Sequence, residues 1–117
     1  MKKSVSNLHA VLFVMTLLTA VASSYTQGQE PSGKELAQAH RCYACHHDTE
    51  ALIGPPYQAI AARHGAKKDV MVDVLARKII LGGGGNWGVV PMVPNEHVSE
   101  EDADTIARWI LAQSPEQ

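Results

Sequence analysis

Both cysteines of this chain fall in the stretch Arg41-Cys42-Tyr43-Ala44-Cys45-His46-His47, with two residues between them and a histidine directly behind the second. Two thiols at this spacing can serve several chemistries. In a thioredoxin-like pair a strand delivers the first thiol to a helix N-terminus, where the dipole depresses its pKa. Here a helical pattern precedes the pair and no strand–helix–strand pattern exists anywhere, so the context speaks against that use. A closed structural zinc site needs four ligands. Cys42, Cys45 and one of His46 or His47 supply three, and His64 and His97 do not fall at finger spacing. A disulfide across two residues closes too short a loop to constrain the unfolded chain. The remaining use is haem attachment. In Cys-x-x-Cys-His each thiol adds to one vinyl group, and the histidine lies beneath the ring as an iron ligand. Cys42 and Cys45 are therefore the candidate attachment points, and His46 the candidate metal ligand.

An electron carrier with both axial positions filled needs a second donor from the opposite side of the ring. Met71 stands at helical spacing among Val70, Val72 and Val74, which suits a core filler. Met92 is different. It sits in Pro91-Met92-Val93-Pro94, where the prolines stiffen the backbone on both sides. A fixed backbone holds a thioether at one point, as a weak iron–sulfur bond requires, so Met92 is the candidate sixth ligand. His47, His64 and His97 are the rivals; His47 is too near His46 to reach the other face, and each reads more simply as a surface histidine.

These residues have to be positioned by helices. Ser32-Gly33-Lys34-Glu35 fits the capping box of a helix start, with Leu36, Ala39 and Tyr43 predicted on one face running toward the cysteines. Ile53-Gly54-Pro55-Pro56-Tyr57 must be a loop, because two consecutive prolines lack N–H groups. A short helix is predicted around Gln58 to His64, ended by Gly65. A stronger one is predicted over Asp69 to Leu81, with Val70, Val74, Arg77 and Leu81 on one line and Met71, Leu75 and Ile79 on another. Gly82 to Gly85 stop it. Ser99 is the next N-cap; Ala103, Ile106, Ala107, Ile110 and Leu111 keep a helical period, and Pro115 lies past the end. No strand and no repeat is evident, so the fold class is all-α with long loops.

The N-terminus reads as an address. Lys2 and Lys3 precede the apolar run Ala10 to Ala22, which closes on Ala20-Val21-Ala22, a pattern signal peptidase accepts. The run is shorter than the ~20 residues that cross a bilayer. The expected organisation is a signal peptide over 1–22, a flexible leader over 23–31 and one small domain over 32–117, exported to the periplasm; an uncleaved tether to the inner membrane is the alternative. In that oxidising compartment a bare vicinal pair tends to close unless something else claims it. With Lys2 and Lys3 removed, 8 of the 10 basic side chains remain against 12 acidic ones, a net charge of −4, which speaks against nucleic acid as a partner. Residues 63 to 78 nevertheless carry Arg63, Lys67, Lys68, Arg77 and Lys78 against two acids, and residues 96 to 104 carry five acids and no base. Such asymmetry gives a dipole able to orient a partner, though two solvated helix faces would look the same. The domain is small and poor in aromatic residues, its only Phe lying in the signal, so a bound prosthetic group would supply missing core volume.

The segments Cys42-Tyr43-Ala44-Cys45-His46, Gly54-Pro55-Pro56-Tyr57 and Trp87 to Asn95, in this order and spacing, resemble the small periplasmic class I bacterial cytochromes c. The resemblance covers nearly the whole exported chain. It implies three to five helices wrapped around one covalently bound haem c, ligated by His46 and Met92. It further implies that the Pro55 carbonyl holds His46, that Trp87 hydrogen-bonds a haem propionate, and that Asn95 orients the methionine sulfur. A basic residue, often arginine, binds propionate nine places before the tryptophan; here that place holds Lys78, a point donor without a fork. The run Gly82 to Gly85 is also richer in glycine than the family pattern. The function implied is a monomeric one-electron carrier between redox proteins rather than an enzyme. The rivals are a haem subunit of a larger oxidoreductase, or a haem enzyme or gas-binding protein in which Met92 dissociates.

Overall fold

The computed structural model describes residues 28–113; the predicted signal peptide, most of the leader and Pro115 lie outside them. Four α-helices follow one another: α1 (Gly33–Ala39), α2 (Tyr57–His64), α3 (Lys68–Leu81) and α4 (Glu100–Leu111), with short 3₁₀ turns at Cys42–Ala44 and Gly65–Lys67. Among the described residues there is no strand, only an isolated antiparallel bridge between Gly83 and Met92. No described helix is long and apolar enough to cross a membrane.

Both predicted caps are formed. The Ser32 hydroxyl accepts from Glu35 N and the Glu35 carboxylate accepts from Ser32 N at 2.7 Å, the reciprocal capping box. The Ser99 hydroxyl accepts from Asp102 N at 3.1 Å, with three acids in the first turn of α4. The predicted period of α4 holds residue for residue: Ala103, Ile106, Ala107, Ile110 and Leu111 are all buried. Helix α4 is the hub, since α1, α2 and α3 each pack on it. Each aliphatic side chain fully buried there is worth roughly 1.5–3 kcal/mol.

Two expectations are corrected. Helix α1 stops at Ala39, because Arg41 takes a left-handed φ of 60° and breaks the register. Tyr43 therefore lies on the following 3₁₀ turn rather than on α1, and the buried residues of α1 are Gly33 and Ala37. Helix α2 ends at His64 as read, with Gly65 as its C-cap. Gly65 stays right-handed at φ −60°, and the backbone passes through a 3₁₀ turn straight into α3. On α3 the line Met71, Leu75, Ile79 meets the core as read, while Val70, Val74 and Leu81 are exposed at 64%, 51% and 67%, Val74 on the cavity wall. Where that helix ends the sequence reading holds: Gly82, at φ 66°, closes it.

The α1–α4 crossing is close enough that only glycine fits at position 33. A Cβ there would overlap Trp109 Cβ and lie 2.7 Å from Thr105 O. Gly33→Ala is expected to cost about 1–3 kcal/mol by overpacking. The check is the urea midpoint, which falls with an unchanged m-value; an unshifted midpoint would show that the crossing can relax.

Candidate functional site

The chain between α1 and α2 folds back so that the cysteine turn meets the proline loop. Cys45 N and His46 N both donate to Cys42 O, at 3.1 and 3.0 Å, and Gly54 N donates to Cys45 O at 2.7 Å. These bonds deliver His46, only 9% exposed, beneath Pro55, where its Nδ1 donates to the Pro55 carbonyl at 2.7 Å. A carbonyl only accepts, so Nδ1 carries the hydrogen and Nε2 keeps its lone pair, the state a metal-ligating histidine needs. The ring is clamped: Tyr57 stacks on it at 5.3 Å and 19°. Tyr57 in turn packs edge-on against Tyr43 and Trp109. Burial pushes the Tyr57 phenol far above its usual range, and the ring serves here as apolar wall.

Both cysteines are free thiols at intermediate burial. Burial raises the Cys42 thiol above its ordinary value, the opposite of an activated redox thiol.

The second half of the site descends from the end of α3. Gly83 and Met92 exchange backbone hydrogen bonds at 2.9 and 3.0 Å, closing the glycine-rich loop between them. Asn95 then sews the methionine segment to the helix. Its backbone N donates to Ile80 O at 2.9 Å, and its side-chain amide donates to Ile79 O at 3.0 Å and Val93 O at 3.1 Å. Two of the carbonyls that a helix C-terminus leaves without partners are thereby satisfied. With those donors on the backbone, Asn95 acts here as a clamp on the loop that carries Met92.

The two halves enclose a cavity of about 1040 Å³. Cys42, Cys45, His46, Pro55, Lys78, Trp87, Met92 and Asn95 all line it, so the candidate attachment, ligand and supporting residues are brought to one place. Met71 lines it too while packing against the core, so it is as much cavity wall as filler. Of the rival histidines, His64 and His97 reach the wall. His47 does not: its Nδ1 accepts from Thr49 N and Glu50 N at 3.2 Å and caps a turn.

Residues the sequence reading did not assign to the site also reach it: Arg63, Arg41 and His40. Arg63 and His64 follow Ile60 at three and four residues, so helical spacing from one wall residue would have found them. His40 is held by Asp102 at 2.9 Å.

The walls are largely apolar, including Ile53, Val74 and Val90, which are exposed to the cavity side of the fold. Two thiols, an imidazole with a free Nε2, a thioether and apolar walls of this size suit a large flat ring carrying a metal. The cytochrome c family model matches residues 31–114. The chain belongs to the cytochrome c family. Cytochrome c-551 of Azotobacter vinelandii is 41% identical over 80 residues, covering 68% of this chain and 95% of that protein. Cytochrome c-552 of Nitrosomonas europaea is 39% identical over 92 residues, covering 79% and 88%. The crystal structure of the wild-type Nitrosomonas europaea cytochrome c552 superposes with a TM-score of 0.66 at 42% identity, over 69% of this chain and 99% of that one. Membership of this family brings a covalently attached haem c, and the donor set fits it. The small all-helical class I fold expected from the sequence is the one observed.

This cytochrome has one position where the histidine leaves no room. A Cβ on Gly54 would meet His46 Cε1 at 2.5 Å and Nδ1 at 2.8 Å. Gly54→Ala is expected to tilt the ring away from Pro55 O and speed solvent exchange of the Nδ1 hydrogen by roughly tenfold, the worth of one hydrogen bond. Nitrogen-15 NMR of the imidazole reads this directly, and unchanged exchange would show the ring is held by Tyr57 alone.

Proposed function

We propose that this cytochrome is a one-electron carrier whose haem is attached through Cys42 and Cys45 and ligated by His46 and Met92. The observation that carries the reading is the 2.7 Å bond from His46 Nδ1 to Pro55 O, which prepares Nε2 as a ligand in the cavity that Met92 also lines. The bound haem supplies the chemistry, its iron passing between Fe(III) and Fe(II).

The chain's part is to hold that group in one environment. Pro55 O keeps the imidazole oriented and more basic. The Met92 thioether is a soft donor that favours the reduced state, and the apolar walls disfavour the extra charge of the oxidised one. With His46 and Met92 both holding the bound iron, no position would be left for a substrate, which supports a carrier rather than an enzyme. The Gly83–Met92 bridge and the Asn95 clamp keep the sulfur's backbone in place in either oxidation state. Export to the periplasm, a monomeric state and protein redox partners complete the reading; the leader pattern and net negative charge support it.

The charged segments look different in three dimensions. Arg63 and Lys78 belong to the cavity wall, which leaves Lys67, Lys68 and Arg77 as an exposed basic group. On the acidic side Asp104 pairs with Arg108 at 2.7 Å and Asp102 with His40, leaving Glu96, Glu100 and Glu101 exposed. The dipole survives in reduced form.

Two outcomes are expected. The oxidised protein shows the weak far-red absorption of a methionine–iron(III) bond; Met92→Ala abolishes it and Met71→Ala keeps it, while the converse would move the sixth ligand to α3. Reversing Lys67 and Lys68 to Glu slows electron exchange with an acidic redox partner at low salt and leaves the reduction potential nearly unchanged. The difference fades as added salt shortens the screening length to ~8 Å and below. Stopped-flow rates insensitive to both the substitutions and ionic strength would rule out steering by this face.

A further inference from the structure

The rim of the cavity raises a question that the two axial ligands leave open. Lys78 stands where the resemblance places the propionate-binding base, yet its ammonium makes no hydrogen bond or ion pair among the described residues, and a point charge offers no fork. Arg63, in the last turn of α2, is the better-placed cation. Its Nη1 donates to Asn86 O at 2.7 Å, and its guanidinium carbon stands 4.7 Å from the centre of the Trp87 ring.

Both contacts land on the loop that joins α3 to the methionine segment. The Gly83–Met92 bridge closes the base of that loop, and Arg63 reaches its middle. Gly82, Gly83, Gly85 and Gly88 all have positive φ, and a Cβ added at Gly85 or Gly88 would meet nothing within 4 Å. Trp87 is 43% exposed, so its orientation is not set by burial. Arg63 ties Asn86 and Trp87 to α2, and its two contacts use only part of a five-donor group.

We infer that Arg63 is the positioning residue of the rim: it ties the glycine-rich loop to α2, sets Trp87, and turns its remaining N–H groups toward a carboxylate of the haem. This rests on the haem ligation proposed above. Lys78 then contributes charge without orientation. The consequence for potential has a definite sign. A cation at the rim favours the less positive, reduced iron and keeps a nearby carboxylate ionised. Removing it lowers the potential at neutral pH.

The test compares haem-loaded wild type, Arg63→Gln, Arg63→Lys and Lys78→Gln. Absorbance of the attached haem and the far-red band report on the ligation reading in each sample, so its failure is seen separately. Arg63→Gln is expected to speed hydrogen exchange of the Trp87 indole N–H by about tenfold or more, since a cation–π contact and a charged hydrogen bond are both lost. It should also lower the potential. Arg63→Lys should keep most of the potential but lose the Trp87 protection, and Lys78→Gln should stay close to wild type in Trp87 exchange. Two results would overturn the inference. One is an Arg63→Gln protein with wild-type Trp87 exchange and potential; the other is a Lys78→Gln protein that reproduces the whole Arg63→Gln behaviour.

Discussion

A single hydrogen bond, from His46 Nδ1 to Pro55 O, constrains most of what surrounds it. To make it, the proline loop must come back over the cysteine turn, which forces Gly54 against the imidazole and puts Tyr57 on its face. Neither proline has an N–H, so this loop cannot enter a backbone ladder that would compete for its geometry. Tyr57 is at once the first residue of α2 and a member of the core, so the histidine's orientation is set by the same residue that docks α2 on α4. Local chemistry and global packing share one side chain.

The methionine side is built on a different principle. No ring stacks there. Instead the end of α3 has carbonyls to satisfy, and the chain that returns after the glycine loop satisfies them through Asn95. The histidine is thus held by stacking and burial, and the methionine by backbone hydrogen bonds from one asparagine and one bridge. Open glycine backbone lies between α3 and Met92, and Arg63 reaches across from α2 to compensate.

The sequence was most legible where the physics is local. The capping box at Ser32, the cap at Ser99, the glycine stop at Gly82 and the buried stripe of α4 depend on residues a turn or less apart, and all are found as read. The site was legible because its residues sit in short, chemically specific segments. The failures are all non-local. Nothing in the neighbourhood of Arg41 announces a left-handed residue, since the conformation follows from how the cysteine turn must meet Gly54 and Pro55. Val70, Val74 and Leu81 form an apolar line at helical spacing, yet all three are exposed, Val74 on the cavity wall, and the line Met71, Leu75, Ile79 is the one that meets the core. The carbonyls that Asn95 clamps, 15 and 16 residues back, are visible only once α3 is placed. Arg63 was counted as surface charge because its partners, Asn86 and Trp87, are 23 and 24 residues away.

Core and cavity are not separate compartments. Ile60 is a buried core residue that also lines the cavity, and Met71, Leu75 and Met92 pack against the core from the cavity wall. A group bound there therefore touches the same side chains that join α2 and α3 to α4. Anything that binds the folded state alone stabilises it in proportion to its affinity, and a covalent attachment makes that contribution permanent. A domain of this size buries too little surface to be generously stable by itself. Haem held in this cavity as proposed would be both the redox centre and the inner face of the core. Loops rich in glycine and proline would then be tolerated because the group they grip would hold the helices beneath them.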